Sequence, residues 1–216
     1  GIITKHVIHS TQGMARWVAR GPHVDDEADM DDYMFEVAGR VGYLLTHLFA
    51  WYSRSIRVKM KELLPLAREF GLALQTVNVI RGLRKDYERG WVYIPKKFLE
   101  AVNLSAHELF LPENRAEAIK VLDMLADKAE RHLHAALTCV KTLPRWQHRI
   151  RLACIFPLMF AIRTLAISRR NTDVFNSEAK MTREEVKRIV RDATLWGWSN
   201  RWLDSYSREL NVVVKE

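Results

Sequence analysis

Gln75, Asn78, Gly82 and Asp86 fall within a quarter-turn of one another if the chain around them is helical, at about 100° per residue. Arg81 and Lys85 form a neighbouring stripe at i, i+4. Two amides, a gap and a carboxylate in a row, flanked by two cations, can line a pocket for a diphosphate and its metal ion. A plainer reading competes: a helix that runs from core to solvent, its C-terminal half simply wet.

Two helices must position these groups. The periodicity predicts one over residues 59–88, whose apolar half offers Leu63, Ala67, Phe70, Leu74 and Val77. Those side chains either wall a hydrocarbon tunnel leading to the polar end or pack as ordinary core. Pro65 predicts a kink or a break near the start of that helix. A second helix is predicted over residues 29–54. Ala38 and Gly42 sit one turn apart on it, with Gly39 beside them, so another helix or a long thin ligand can approach the backbone. Tyr33 lies one turn before Val37, and its hydroxyl either projects into the same cavity or bonds a backbone carbonyl. The acidic run from Asp25 to Asp32 reads as the start of this helix, where carboxylates meet the positive end of the dipole, and not as a metal site.

The rest of the chain reads as helix throughout. A first helix spans residues 2–20, with Val7, Met14, Trp17 and Val18 on one apolar face and Gly21-Pro22 as its stop. Its nearness to residue 1 implies a natural start further upstream. Residues 55–58 read as a loop. A short helix over 96–102 and a capping box, Ser105 to Glu108, precede a long helix over 115–142. His132 and His134 point to different faces of that helix and make a poor metal pair. Residues 147–170 read as a buried helix containing Pro157. A second capping box, Thr182 to Glu185, opens a last helix reaching residue 210. Its Trp196, Trp198 and Trp202 read as core and interface packing. No strand, repeat or low-complexity segment is evident, so the fold class is all-α, with residues 1–216 as one domain.

Composition narrows the functional classes. Hydrophobic residues make up 48% and charged residues 28% of the 216 positions, an ordinary soluble balance. A net charge of +8 favours anionic partners such as diphosphates or acidic lipid surfaces. With no zinc finger, RNP-type motif or basic arm, nucleic acid is not expected as a partner. Cys139 and Cys154 read as buried thiols in a reducing, cytoplasmic setting, and no signal peptide is evident. The longest apolar run, Leu152 to Ile162, is too short to span a bilayer and reads as a buried core helix. The sequence sets no oligomeric state.

Three segments, in order, resemble the squalene and phytoene synthases, the head-to-head prenyl transferases. Gly71, Leu72, Leu74, Gln75, Asn78, Arg81 and Asp86 match that family's pattern G-L-x-L-Q-x-x-N-I-x-R-D-x-x-E-D, and Gly90 to Pro95 resembles the segment after it. Tyr33 to Gly42 is similar to Y-C-x-x-V-A-G-x-V-G, and Ala153 to Ala166 to a squalene-synthase helix. Two positions depart: Gly82 stands where the first Asp belongs, and Lys85 where the Glu belongs. The family's first carboxylate-rich motif lies upstream of the part this chain resembles, which amounts to about the last two thirds of a family member.

The resemblance implies an all-α isoprenoid-synthase bundle, here lacking its N-terminal helices, with a central prenyl-diphosphate cavity. It implies condensation of two farnesyl or geranylgeranyl diphosphates to squalene- or phytoene-type products, with Mg2+ and, for squalene, NADPH. In that reading Tyr33 handles the proton or cation, and Asp86 is both catalytic and the metal ligand. Gln75, Asn78, Arg81 and Lys85 bind diphosphate, while Val37, Ala38, Val41 and Leu74 wall the prenyl chain. The substrate is a prenyl diphosphate, and the apolar product implies work at a membrane surface. Gly82 and Lys85 keep two alternatives open: a prenyl-diphosphate hydrolase, or a non-catalytic relative that binds prenyl diphosphate or acts in assembly.

Overall fold

The computed structural model describes residues 1–21 and 23–212, and of Ile2 the backbone only. Pro22, expected to stop the first helix with Gly21, lies outside the described residues. The described chain is all helix and connection. In order come α1 (Ile2–Arg20), α2 (Glu27–Met34), a π-helical turn (Phe35–Gly39), α3 (Arg40–Tyr52) and α4 (Arg54–Arg57). Then follow α5 (Met60–Glu88), α6 (Lys96–Glu100), α7 (Arg115–Thr142), α8 (His148–Ser168), α9 (Arg183–Trp196) and α10 (Asn200–Leu210). Short 3-10 turns cover Glu108–Phe110, Pro112–Asn114 and Thr172–Phe175.

α5 is the axis of the bundle, and it runs through Pro65 without a break. Its buried residues Leu72, Val79, Ile80 and Leu83 meet Leu122, Leu125 and Ala129 of α7 and Leu158, Met159 and Ile162 of α8 in one core. A smaller core joins Ala50, Ile56 and Leu63 to Cys139, Leu143 and Ile150. α8 is long and apolar enough to cross a membrane by length and composition, yet half of its apolar window is buried inside the bundle. Both expected capping boxes are present. Ser105 N–H donates to Glu108 Oε2 (2.8 Å) and Glu108 N–H to Ser105 Oγ (3.3 Å). Thr182 and Glu185 exchange the same pair of bonds at the start of α9.

Several expectations need correcting. The helix expected over 29–54 is one rod interrupted by the π turn, and 55–58 is mostly helical because α4 continues the chain around the corner. Trp17 is buried, but Val7 and Val18 are exposed, so α1 buries a narrower face than its periodicity implied. The last helix is two helices, parted at Gly197 to Ser199. Of its tryptophans only Trp202 packs, stacked on Tyr206 at 4.5 Å; Trp196 and Trp198 are about half exposed.

The acidic run is consumed locally and across the bundle. Asp26 caps α2 by accepting from Ala28 N–H and Asp29 N–H. Asp29 pairs with Arg20 at 2.5 Å. Asp31 pairs with Lys128, whose side chain is 1% exposed, and Glu27 with Arg131 at 2.6 Å. His132 of α7 bonds Glu69 (2.6 Å) beside Lys128, while His134, on another face, is exposed.

Candidate active site

The site begins with a close helix crossing. A β-carbon at Gly71 of α5 would come within 2.6 Å of the Ala38 carbonyl and of Gly39 Cα. One at Gly42 would run into the Ala67 carbonyl oxygen. Real side chains cannot approach backbone that closely, so glycines at these points let α3 and α5 touch main chain to main chain. The π turn lies at this crossing, and such single-turn bulges recur at functional sites.

Beside the crossing, with Gly42 and Gly71 in its wall, lies an apolar cavity of about 220 Å³. Val37, Ala38, Val41 and Leu74 all line it, as expected, and so do Leu63, Ala67 and Phe70. Val77 does not; it packs in the core. Cys139 and Cys154 complete the wall as free thiols, and burial pushes both up to about 12. They are neutral and serve as apolar surface.

The polar row continues along α5 from Leu74. Asn78 Nδ2 donates to Gln75 Oε1 at 3.4 Å, which places both amides on one face. Asp86 is half-buried further along, with its carboxylate turned back over Gly82. Burial raises its carboxyl above the usual range, and the positive charges of Arg89 and Lys85 oppose that rise. Lys85 is not free: its Nζ lies 3.3 Å from Glu178, in the segment before α9. Arg84 is held by Glu88 at 2.6 Å. Among the described residues, Arg81 and Arg89 enter no ion pair, and both are exposed.

After α5 the chain turns at Gly90 (φ +80°), where Trp91 N–H donates to Asp86 O at 2.9 Å. This turn folds Trp91 and Tyr93 back beside Asp86, and all three border one small pocket. Tyr93 stacks between Trp91 (5.9 Å) and Tyr33 (4.5 Å), and Tyr33 meets the edge of Trp17 at 5.4 Å. Tyr33 is buried; desolvation, then the neighbouring Tyr93 hydroxyl and the Asp86 charge, push its hydroxyl far up. It stays a neutral phenol at any working pH. It does not line the apolar cavity, contrary to one of its two expected placements.

Tyr93, Trp91 and Arg89 were missed as site residues by sequence reasoning. The alternating aromatics after the glycine turn were the available signal. Glu178 carried none, because its role rests on a contact across 93 positions.

The residues present do not make up a magnesium site. Asp86 is the single carboxylate in its row, Gly82 offers no donor, and Lys85 adds positive charge. Among the described residues no group of three His, Cys, Asp or Glu side chains could hold a metal ion.

The architecture is that of the all-α isoprenoid synthases. It superimposes on the structure of TcSQS with ligand BPH1237 with a TM-score of 0.80 and 27% identity, over 94% of this chain and 58% of that one. The sequence profile described as squalene/phytoene synthase matches residues 1–185, and the chain belongs to that family. The squalene synthase of Schizosaccharomyces pombe is 31% identical over 170 residues, which is 79% of this chain and 36% of that protein. The squalene synthase of Homo sapiens is 29% identical over 182 residues, 84% of this chain and 42% of its length. The chain thus spans about two fifths of these curated relatives.

Proposed function

We propose that this chain binds prenyl diphosphates for a head-to-head prenyl transfer of the squalene/phytoene synthase type. The observation that carries this reading is the layout of α5. The helix walls an apolar cavity as far as Leu74 and then presents Gln75, Asn78, Arg81 and Asp86 in continuous order. From Leu63 to Leu74 the apolar wall runs about 16 Å of helix, a scale suited to a C15 chain whose charged head meets the polar row beyond Leu74. Val37, Ala38, Val41 and Leu74 hold the hydrocarbon. Arg81, and Arg89 with it, meets the diphosphate, since neither is spent on an internal ion pair.

In the reaction the C–O bond to one diphosphate breaks, giving an allylic cation and free diphosphate. The double bond of the second prenyl chain attacks it, and loss of a proton closes a cyclopropyl diphosphate. Tyr33, a neutral phenol stacked beneath Tyr93, supports positive charge from behind Tyr93, whose ring borders the pocket beside Asp86. Asp86 is the better proton acceptor, because burial raises its basicity. Mg2+ would neutralise the departing diphosphate, but the donors on α5 do not complete a site for it. NADPH, which would supply hydride for reduction to a squalene-type product, enters only through the kind of relatives matched. The free thiols and apolar product fit work in a reducing compartment beside a membrane.

The Lys85–Glu178 pair and Gly82 favour a second reading, in which prenyl diphosphate is bound but not ionised. Incubation with radiolabelled farnesyl diphosphate and Mg2+, with and without NADPH, decides between them. A C30 hydrocarbon or a cyclopropyl diphosphate is expected. Farnesol alone identifies a hydrolase, and binding without turnover identifies a non-catalytic relative.

A further inference from the structure

The end of the bundle opposite Asp86 carries a surface that prenyl transfer does not use. Four connections meet there. Lys59 Nζ, just before α5, donates to Thr142 O at the end of α7 (3.0 Å), and Gln147 Nε2 donates to Ser53 Oγ (3.0 Å). His148 at the start of α8 lies 3.1 Å from Thr194 O near the end of α9, and Arg151 Nε donates to Gly197 O (3.2 Å). The ends of α3, α7 and α9 and the starts of α5 and α8 therefore share one face.

That face exposes large aromatics. Trp51 is 76%, Trp146 75% and Tyr52 73% accessible, with Val58 at 75% and the half-exposed Trp196 and Trp198 near them. Trp51, Tyr52 and Trp146 rim an open groove of about 760 Å³. Phe49 and Ala153 line both this groove and the apolar cavity, so the two adjoin. The charge here is predominantly positive. Between Glu36 and Glu62, and again between Glu130 and Asp173, the sequence contains no acid. Arg54, Arg145 and Arg149 are exposed, and among the described residues they enter no ion pair. Of the acids bordering the face, Asp204 is paired with Lys141 (2.7 Å) and Asp192 with Arg191 (2.8 Å), while Glu62 accepts a bond from Thr142 Oγ1 (3.3 Å) and keeps its charge.

Exposed tryptophan and tyrosine among unpaired arginines match the boundary of an anionic bilayer, where the rings sit at headgroup depth and the cations meet phosphate. A monomer in water rarely shows such a patch without a partner. We propose that this end docks on the surface of an anionic phospholipid membrane and sets the groove beside the apolar cavity against the lipid. A long hydrocarbon then has a way between cavity and bilayer that avoids water.

Vesicle co-sedimentation of the full chain tests this, using phosphatidylcholine alone against phosphatidylcholine with about one third phosphatidylserine. Binding to the anionic vesicles is expected, with quenching of tryptophan fluorescence by brominated lipid. At about five-fold per arginine, R54E/R145E/R149E should lose binding on the order of a hundred-fold. W51S/W146S should lose the quenching and most of the binding. R183E/K187E, at the far end of α9, should keep both, and thermal melts would show that all variants are folded. No binding to anionic vesicles, or equal loss in the far-end variant, would overturn the proposal. So would vesicle binding unchanged in W51S/W146S with an altered sedimentation coefficient in its absence, which would assign the face to a second copy. No prenyl diphosphate is used, so failure here leaves the transferase reading standing.

Discussion

The Asp86 carboxylate covers Gly82: a β-carbon at position 82 would sit 3.3 Å from Asp86 Oδ2, a tight contact that the movable end of the Asp86 side chain must relieve by a few tenths of an ångström. A side chain fits there, and an aspartate at 82 would stand on the same face of α5 as Asp86. The G82D/K85E double variant is expected to bind Mg2+ more tightly than the wild-type chain, because two more carboxylates join Asp86. Calorimetric titration with Mg2+ measures this. An unchanged heat signal would show that Asp86 is not placed to share an ion.

The helix crossing gives a stability prediction. Gly71→Ala puts a methyl 2.6 Å from main-chain atoms of Ala38 and Gly39, which cannot rotate away. Unfolding in urea is expected to show a loss of about 3 kcal/mol, at the upper end for overpacking. Gly82→Ala meets only the movable Asp86 carboxylate, at 3.3 Å, and should gain about 0.5–1 kcal/mol from helix propensity once that carboxylate shifts.

Acid sensitivity should trace to buried pairs. Burial pushes the Asp31 carboxyl up, but bonds from His132 and Lys128 outweigh it and leave it below the usual range. Arg40, against a smaller burial effect, holds Glu36 down as well. A depressed carboxylate stabilises above its unfolded value and loses that contribution as pH falls through its folded value. Stability is therefore expected to drop below about pH 4, and D31N or E36Q should flatten that slope. Melting temperature measured between pH 3 and 7 checks this.

Removing the cation from the same cluster is a harsher test. Lys128→Met leaves Asp31 without the ammonium it meets in the interior. A loss of about 3 kcal/mol is expected in denaturant unfolding, as for other broken buried pairs. A loss below about 1 kcal/mol would place the pair with exposed ones.

At the site, Asp86→Asn should lower turnover of farnesyl diphosphate by about 100-fold or more while leaving the fold intact. The wild-type rate should fall with acid at a pH above the ordinary aspartate value, because burial raises this carboxyl. Tyr33→Phe removes the hydroxyl but keeps the stack on Tyr93, so a loss of rate without a loss of stability would tie the hydroxyl to chemistry.

The sequence by itself determined the all-α class and the helix that carries the site. Both follow from local periodicity: a 3.6-residue repeat sets which side chains share a face, so Gln75, Asn78 and Asp86 had to align. The small residues at 38, 39 and 42 likewise mark a close approach, whose partner, Gly71 of α5, only the packing supplies. Only the tertiary structure decided what meets that face. Lys85 is drawn off by Glu178, Tyr33 is buried under Tyr93 instead of opening into the cavity, and Trp196 and Trp198 stand in solvent. Each outcome depends on which distant segment packs alongside. A helical period fixes the direction of a side chain relative to its own helix and says nothing of what lies opposite.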